Sequence, residues 1–150
     1  MNLVRDGTMV TVFIVNILVI ALAVIIHYEF LYRITRIIPD LKIRHRFRIV
    51  LGVFLALTAH AAEVWLFAAS YYFMHHAEEG WGYLDGNFDG SLLDCVYYSF
   101  TTYTTLGTGD IEPHGDLRFL TGLESLTGLV LITWTASFLY LEMTRYWDDN

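Results

Sequence analysis

Residues Thr101–Asp110 read TTYTTLGTGD, and their side chains are an unusual set to find in an apolar chain. Five threonines and one tyrosine supply hydroxyl oxygens, Gly107 and Gly109 remove bulk, and Asp110 closes the run with a carboxylate. Glycines two apart take positive φ at little cost, so successive carbonyls can turn to the same side instead of alternating. The Thr105 hydroxyl adds an oxygen at the inner end. Four such strands around an axis would make rings of oxygens able to replace the water shell of a monovalent cation. The chemistry implied is cation binding by backbone, with no covalent step.

The elements that must position this strand follow from hydropathy. The chain has 150 residues, is 55% hydrophobic and 17% charged, and has a mean hydropathy of +0.46. That is far from a soluble domain. The apolar residues fall in blocks, Met9–Ile26, Ile49–Phe73 and Leu117–Leu141, each long enough for a helix across a hydrocarbon core of ~30 Å. The first block is too long for a typical leader, and no small-residue cleavage site precedes His27-Tyr28-Glu29, so it is expected to remain as a helix. Pro39-Asp40 is a break signal, which lets that helix run to about Ile38.

Charge sets the expected orientation. Of nine Lys and Arg, six follow the first span: Arg33, Arg36, Lys42, Arg44, Arg46 and Arg48. Excess basic charge marks the cytoplasmic side, which puts the N-terminus outside and the C-terminus inside, in a plasma (inner) membrane. The segment from His76 to Asp116 has no Lys or Arg but eight acids: Glu78, Glu79, Asp85, Asp89, Asp94, Asp110, Glu112 and Asp116. An acidic outer face argues against a nucleic-acid partner and for small cations. No span carries arginine at every third position, as a voltage sensor would need.

Within that segment, glycines 80, 82, 86 and 90 read as a surface loop. Leu92–Tyr103 is apolar and aromatic but too short to span, which suits a re-entrant half-helix. Ser91 or Asn87 stands near its start, and Asp94 in the first turn suits the positive end of the helix dipole. Non-helical backbone at membrane depth survives only when buried in protein or lining water. The strand after the half-helix is therefore expected to line a pore.

The run YYSFTTYTTLGTGDIEP resembles the pore loop of potassium channels, whose usual filter reads T-V-G-Y-G-D. The order of span, half-helix, filter and span is similar to the pore module of the two-transmembrane channel family, over roughly Phe47 to Met143. The resemblance implies an ion-binding filter of Thr105, Leu106, Gly107, Thr108 and Gly109, with K⁺ at its carbonyls. It places Asp110 behind the filter's outer end, within reach of Tyr97 and Tyr98. It also places a glycine hinge at Gly128, for which close helix packing is the plain alternative. Ile132, Ala136 and Tyr140, at i, i+4 and i+8, would line the inner pore. The family's filter tyrosine is Thr108 here, which leaves either a looser filter that also passes Na⁺, or a gap filled by another ring, for which Tyr103 is the candidate.

Other polar residues have competing readings. Glu63 and Glu124 lie within spans, where a carboxylate needs a partner. Each either supports the half-helix, through Thr101, Thr102 or Tyr103, or only ties helices together. His27, His60, His75 and His76 invite a haem or metal reading, but His27 is expected near the cytoplasmic side and His75 near the outside, leaving His60 without a mate. Cys95, the single cysteine, reads as a packing residue.

The expectation is an all-α membrane protein of three transmembrane helices plus a re-entrant pore helix and extended filter loop, assembled as a homotetramer around four-fold symmetry. Its parts would be residues 1–46 (first helix and basic connection), 47–143 (pore module) and 144–150 (a short tail that leaves no room for a ligand-sensing domain). The function expected is a potassium-preferring cation channel in a lipid bilayer, not an enzyme, with no cofactor beyond permeant K⁺ or Na⁺. The alternatives are a non-selective monovalent cation channel, a non-conducting accessory subunit and a haem-binding membrane protein. The first helix is expected at the periphery, shielding the outer helix from lipid.

Overall fold

A computed structural model describes residues 2–41, 44–77 and 81–147. Lys42, Glu78, Glu79, Gly80 and the last three residues of the tail lie outside them, as do the side chains of Pro39 and Arg46. The elements in chain order are helix α1 (Asn2–Asp40), helix α2 (His45–His75), strand β1 (Gly82–Gly86), helix α3 (Leu92–Tyr103), strand β2 (Ile111–Gly115) and helix α4 (Leu117–Trp147). Three of the helices are long and apolar enough to cross a membrane, over Met9–Ile38, Phe47–His75 and Leu117–Thr144. The protein is thus a mainly helical membrane protein with three spans.

Lipid gives helices no hydrophobic reason to associate, so small residues and hydrogen bonds must hold them together. Ala23, Ala56, Ala59 and Ala68 are all buried, each at a helix–helix contact face. Gly52 faces the side chains of Ile38 and Leu139, which a Cβ at that position would meet at ordinary contact distance. The opposite face of α1, with Phe13, Ile17 and Leu18, stays exposed and suits acyl chains. α1 contacts α4 as well as α2, so it lies over the seam between the two spans and does more than cover the outer helix.

The half-helix α3 begins where its sequence says it should. Ser91 has extended backbone and its Oγ accepts from the Asp94 N–H at 3.1 Å, the standard way to satisfy a first-turn donor. One flank of α3, with Cys95, Val96 and Ser99, is buried. The outer segment departs from the expected loop. β1 and β2 pair antiparallel, with Gly82 opposite Gly115 and Gly86 opposite Ile111, so a small sheet brackets α3 and the strand after it. Short strands rich in glycine, with Pro113 in one of them, give no alternating hydrophobic pattern to read.

That sheet is joined to the strand of interest. The Asn87 N–H donates to the Asp110 carbonyl at 2.8 Å, and a Cβ on Gly86 would strike the same carbonyl, at a φ of +97°. Gly90 has a similar φ of +85° but meets only the tip of His76 at 3.9 Å. Gly86→Ala is therefore expected to lower the melting temperature in detergent more than Gly90→Ala, and equal losses would show that the junction with Asp110 bears no weight.

Candidate functional site

The strand Thr104–Gly109 begins as the last turn of α3 unwinds. The Thr104 N–H still bonds Phe100 O at 3.1 Å, the Thr105 N–H bonds Thr102 O at 2.9 Å, and the Gly107 N–H reaches back to Thr101 O at 3.1 Å. After that, among the described residues, the backbone makes no further hydrogen bond before Asp110. Positive φ occurs at alternate residues: +59° at Thr105, +58° at Gly107 and +75° at Gly109. Alternating left- and right-handed residues gather N–H groups on one side of a strand and carbonyls on the other. Thr105 is the one non-glycine at positive φ among the described residues. A β-branched residue rarely holds that conformation, and it persists only where the surroundings enforce it. Within the chain a Cβ on Gly107 or Gly109 would meet nothing within 4 Å, so no contact of its own chain requires either glycine, whereas its positive φ does. Thr105, Leu106, Gly107, Thr108 and Gly109 are all exposed in the single chain.

At the outer end, Asp110 accepts from the Thr108 hydroxyl at one oxygen and from the Tyr97 hydroxyl at the other, at 3.1 Å. Tyr97 also lies 3.2 Å from Thr108 Oγ1. The two hydroxyls and the carboxylate tie α3 to the strand. Tyr98, expected beside Asp110, instead bonds Thr121 of α4 at 2.9 Å. The ring points the other way because positions 97 and 98 lie on different faces of a helix.

Tyr103 is likewise turned away from Thr108. It is buried, and its hydroxyl donates to Glu63 of α2. It does not fill space behind Thr108 within its own chain. Glu63 accepts also from His27 Nδ1 at 2.9 Å and from His60 Nδ1 at 3.1 Å. His60 therefore has a mate: the His27 and His60 rings lie 5.3 Å apart, and both address one carboxylate. The expected rim position for His27 fails because the apolar span does not stop with the block at Ile26 but covers Met9–Ile38, which puts residue 27 well inside it. Rings this close, with Glu63 shared between them, leave no slot for a macrocycle.

Glu124 of α4 is fully buried and braces α3 through Ser99, whose hydroxyl donates to it at 2.5 Å, not through Thr101, Thr102 or Tyr103. Tyr71 of α2 donates to its other oxygen at 2.5 Å. Thr101 Oγ1 bonds Tyr98 O at 2.9 Å, and Ser125 Oγ lies 3.3 Å from Thr102 O. So two intramembrane carboxylates hold the half-helix from behind, one near its middle and one at its end. Ser99 carried no signal of its own in the sequence; its i, i+4 spacing from Tyr103 is the feature that puts both on the rear face.

Gly128 sits against the end of α3, where a Cβ would strike the Tyr103 carbonyl. Close helix packing accounts for the glycine, and α4 runs through it without interruption. Ile132 and Ala136 face a groove of about 430 Å³ that they share with Leu57, His60 and Phe100. Tyr140 is exposed. A second recess of about 400 Å³ lies beside the strand and is lined by Thr101, Thr102, Thr105, Thr121 and Ser125 among others.

Residues 59–145 match the family described as ion channel, which is more than half of the chain. The chain belongs to this family. It is an integral membrane protein that acts as a channel and not as an enzyme. No curated protein and no solved structure matches it.

Two consequences can be measured. Ser99→Ala removes a donor from a buried carboxylate and is expected to cost about 1–3 kcal/mol of stability, read as a lower melting temperature; an unchanged value would show that Glu124 does not depend on it. The second concerns Asp110, which lies outside the spans. The Thr108 hydroxyl first, then Tyr97, holds its carboxyl below the usual carboxylate range. A depressed folded-state pKa gives stability that is present above the unfolded value of about 3.9 and lost only as pH falls through the lower, folded value. Wild type and Asp110→Asn should therefore differ in ion flux as much at about pH 5 as at about pH 8. A difference that closed over that range would contradict the depressed carboxyl.

Proposed function

We propose that this chain is one subunit of a homotetrameric, potassium-preferring cation channel, with ions passing through rings of carbonyl oxygens from Thr105 to Gly109. The observation that carries the reading is the alternation of φ sign at Thr105, Gly107 and Gly109. Such alternation supports a strand whose carbonyls turn to one side, and a single strand supplies only one part of each ring. The exposure of the whole strand in the isolated chain fits the same reading, since unpaired backbone in hydrocarbon must line water or meet protein. The recess beside the strand offers room for a neighbouring copy.

The half-helix would enter from outside and point the negative end of its dipole at the membrane centre, where a cation is favoured. The acids of the outer segment would concentrate cations at the mouth. In this arrangement the basic connection after α1 faces the cytoplasm of a plasma membrane, and residues 47–143 form the pore module. Permeation needs no cofactor.

Thr108 decides between two selectivities. A bulky ring behind the carbonyls would hold the filter's width by packing. Here the hydroxyl of Thr108 is tied to Asp110 and Tyr97, so the width is held by hydrogen bonds instead. We take this brace to be sufficient for K⁺ over Na⁺. Purified protein in liposomes should pass K⁺ and Rb⁺ at least about tenfold faster than Na⁺. Equal K⁺ and Na⁺ flux would replace the reading with a non-selective cation channel, with Thr108→Tyr then expected to raise the ratio. No flux of either ion from the protein alone would favour an accessory subunit.

A further inference from the structure

The cluster behind Tyr103 holds more ligating groups than bracing requires. His27 of α1 and His60 and Glu63 of α2 each offer one ligand atom within 4.8 Å of the others. Thr135 of α4 and Tyr103 of α3 complete the shell. His27 and Glu63 are fully buried, while His60 and Tyr103 line the groove of about 430 Å³, which opens the cluster on one side.

The proton inventory is uneven. Both Nδ1 atoms face Glu63, at 2.9 Å from His27 and 3.1 Å from His60, and His60 Nδ1 also lies 3.0 Å from the Tyr103 hydroxyl. Both Nε2 atoms face a single hydroxyl, Thr135 Oγ1, at 3.4 and 3.0 Å. With neutral imidazoles protonated on Nδ1, both Nε2 atoms are acceptors, and one hydroxyl has one proton to give. One Nε2 is then left without a donor; moving the His60 proton to Nε2 instead sets its bare Nδ1 against Glu63 and leaves one Tyr103 proton for both. With both imidazoles neutral, the Glu63 carboxylate also has no counter-charge in the span, which hydrocarbon penalises.

A divalent metal on the Nδ1 side removes both defects. The two imidazoles change tautomer without losing a proton overall. Their Nε2–H groups then both donate to the two lone pairs of Thr135 Oγ1, the kind of outer-shell anchor that metal-bound histidines commonly have. The metal's charge offsets the carboxylate. Two imidazole nitrogens and a carboxylate oxygen are a ligand set that zinc accepts in four-coordinate sites.

We propose that His27 Nδ1, His60 Nδ1 and the Glu63 carboxylate bind a divalent transition metal of the zinc class, with the Tyr103 hydroxyl or a water in the fourth position. The ion fastens α1 to α2 and, through Thr135, to α4, beside the root of the strand. The site is independent of ion selectivity, so its failure would leave the channel reading untouched.

The test uses protein purified in detergent without a polyhistidine tag. Zinc loading followed by desalting should leave about one ion per chain, and cobalt(II) in its place should show the visible absorption of a tetrahedral centre. His27→Gln and His60→Gln should each abolish the cobalt bands, whereas His76→Ala with His114→Ala should retain them. Thr135→Val, which keeps every ligand, should weaken binding about 10–100-fold. Because the histidine variants are at risk of misfolding, the wild-type spectrum stands as a test by itself. A featureless cobalt spectrum with little retained zinc would overturn the proposal and leave a trapped proton as the cluster's counter-charge. So would full loading in the His27→Gln/His60→Gln double variant.

Discussion

Hydrocarbon offers a peptide group no hydrogen bond, and most of this molecule is arranged around six residues that break that constraint. Thr104–Gly109 leaves the helix between two spans and, past the Gly107 N–H, makes no backbone hydrogen bond among the described residues before Asp110. Such a strand is stable only if a polar partner takes the place of the missing bonds. The alternating φ values show that the strand is not merely irregular: its conformation repeats every second residue, even at Thr105, where the side chain opposes it. A conformation of that cost is kept when its surroundings hold it in place.

What holds it is a set of three acids used as acceptors. Glu124 takes Ser99 and Tyr71, Glu63 takes Tyr103 and two histidines, and Asp110 takes Thr108 and Tyr97. The first two fix the half-helix from its rear face and the third fixes the strand to the same helix at its outer end. The small sheet adds a backbone link at the Asp110 carbonyl. Membrane helices gain little from apolar contact with one another, so acids with short hydroxyl bonds supply both the attachment and the direction. α1 contributes to the same frame by bringing His27 to Glu63, and is more than a lipid shield.

The parts of the fold that depend on composition and length were legible in the sequence. Hydropathy blocks located the spans, and Ser91 with Asp94 marked the start of α3. Gly107 and Gly109 announced the positive φ values, because only their residue type was needed. The pairings were less legible because they depend on rotation and depth. Tyr97 and Tyr98 are neighbours in sequence but face different elements, and Tyr103 turned to Glu63 instead of Thr108. His27 and His60 meet because α1 packs along α2, a pairing that the hydropathy of neither helix encodes. The paired strands were invisible because glycine and proline spoil the alternation by which strands are recognised. At Gly128, the choice between a hinge and close packing needed the Tyr103 carbonyl in view.

The account rests on unpaired peptide oxygens from several copies taking the place of a cation's hydration. A density map of the detergent-solubilised assembly in potassium salt tests this most directly. It should show four chains around one axis, with ion peaks on that axis between the carbonyls of Thr105 and Gly109. A lone chain, or those carbonyls turned toward their own subunit with no ion between them, would contradict it.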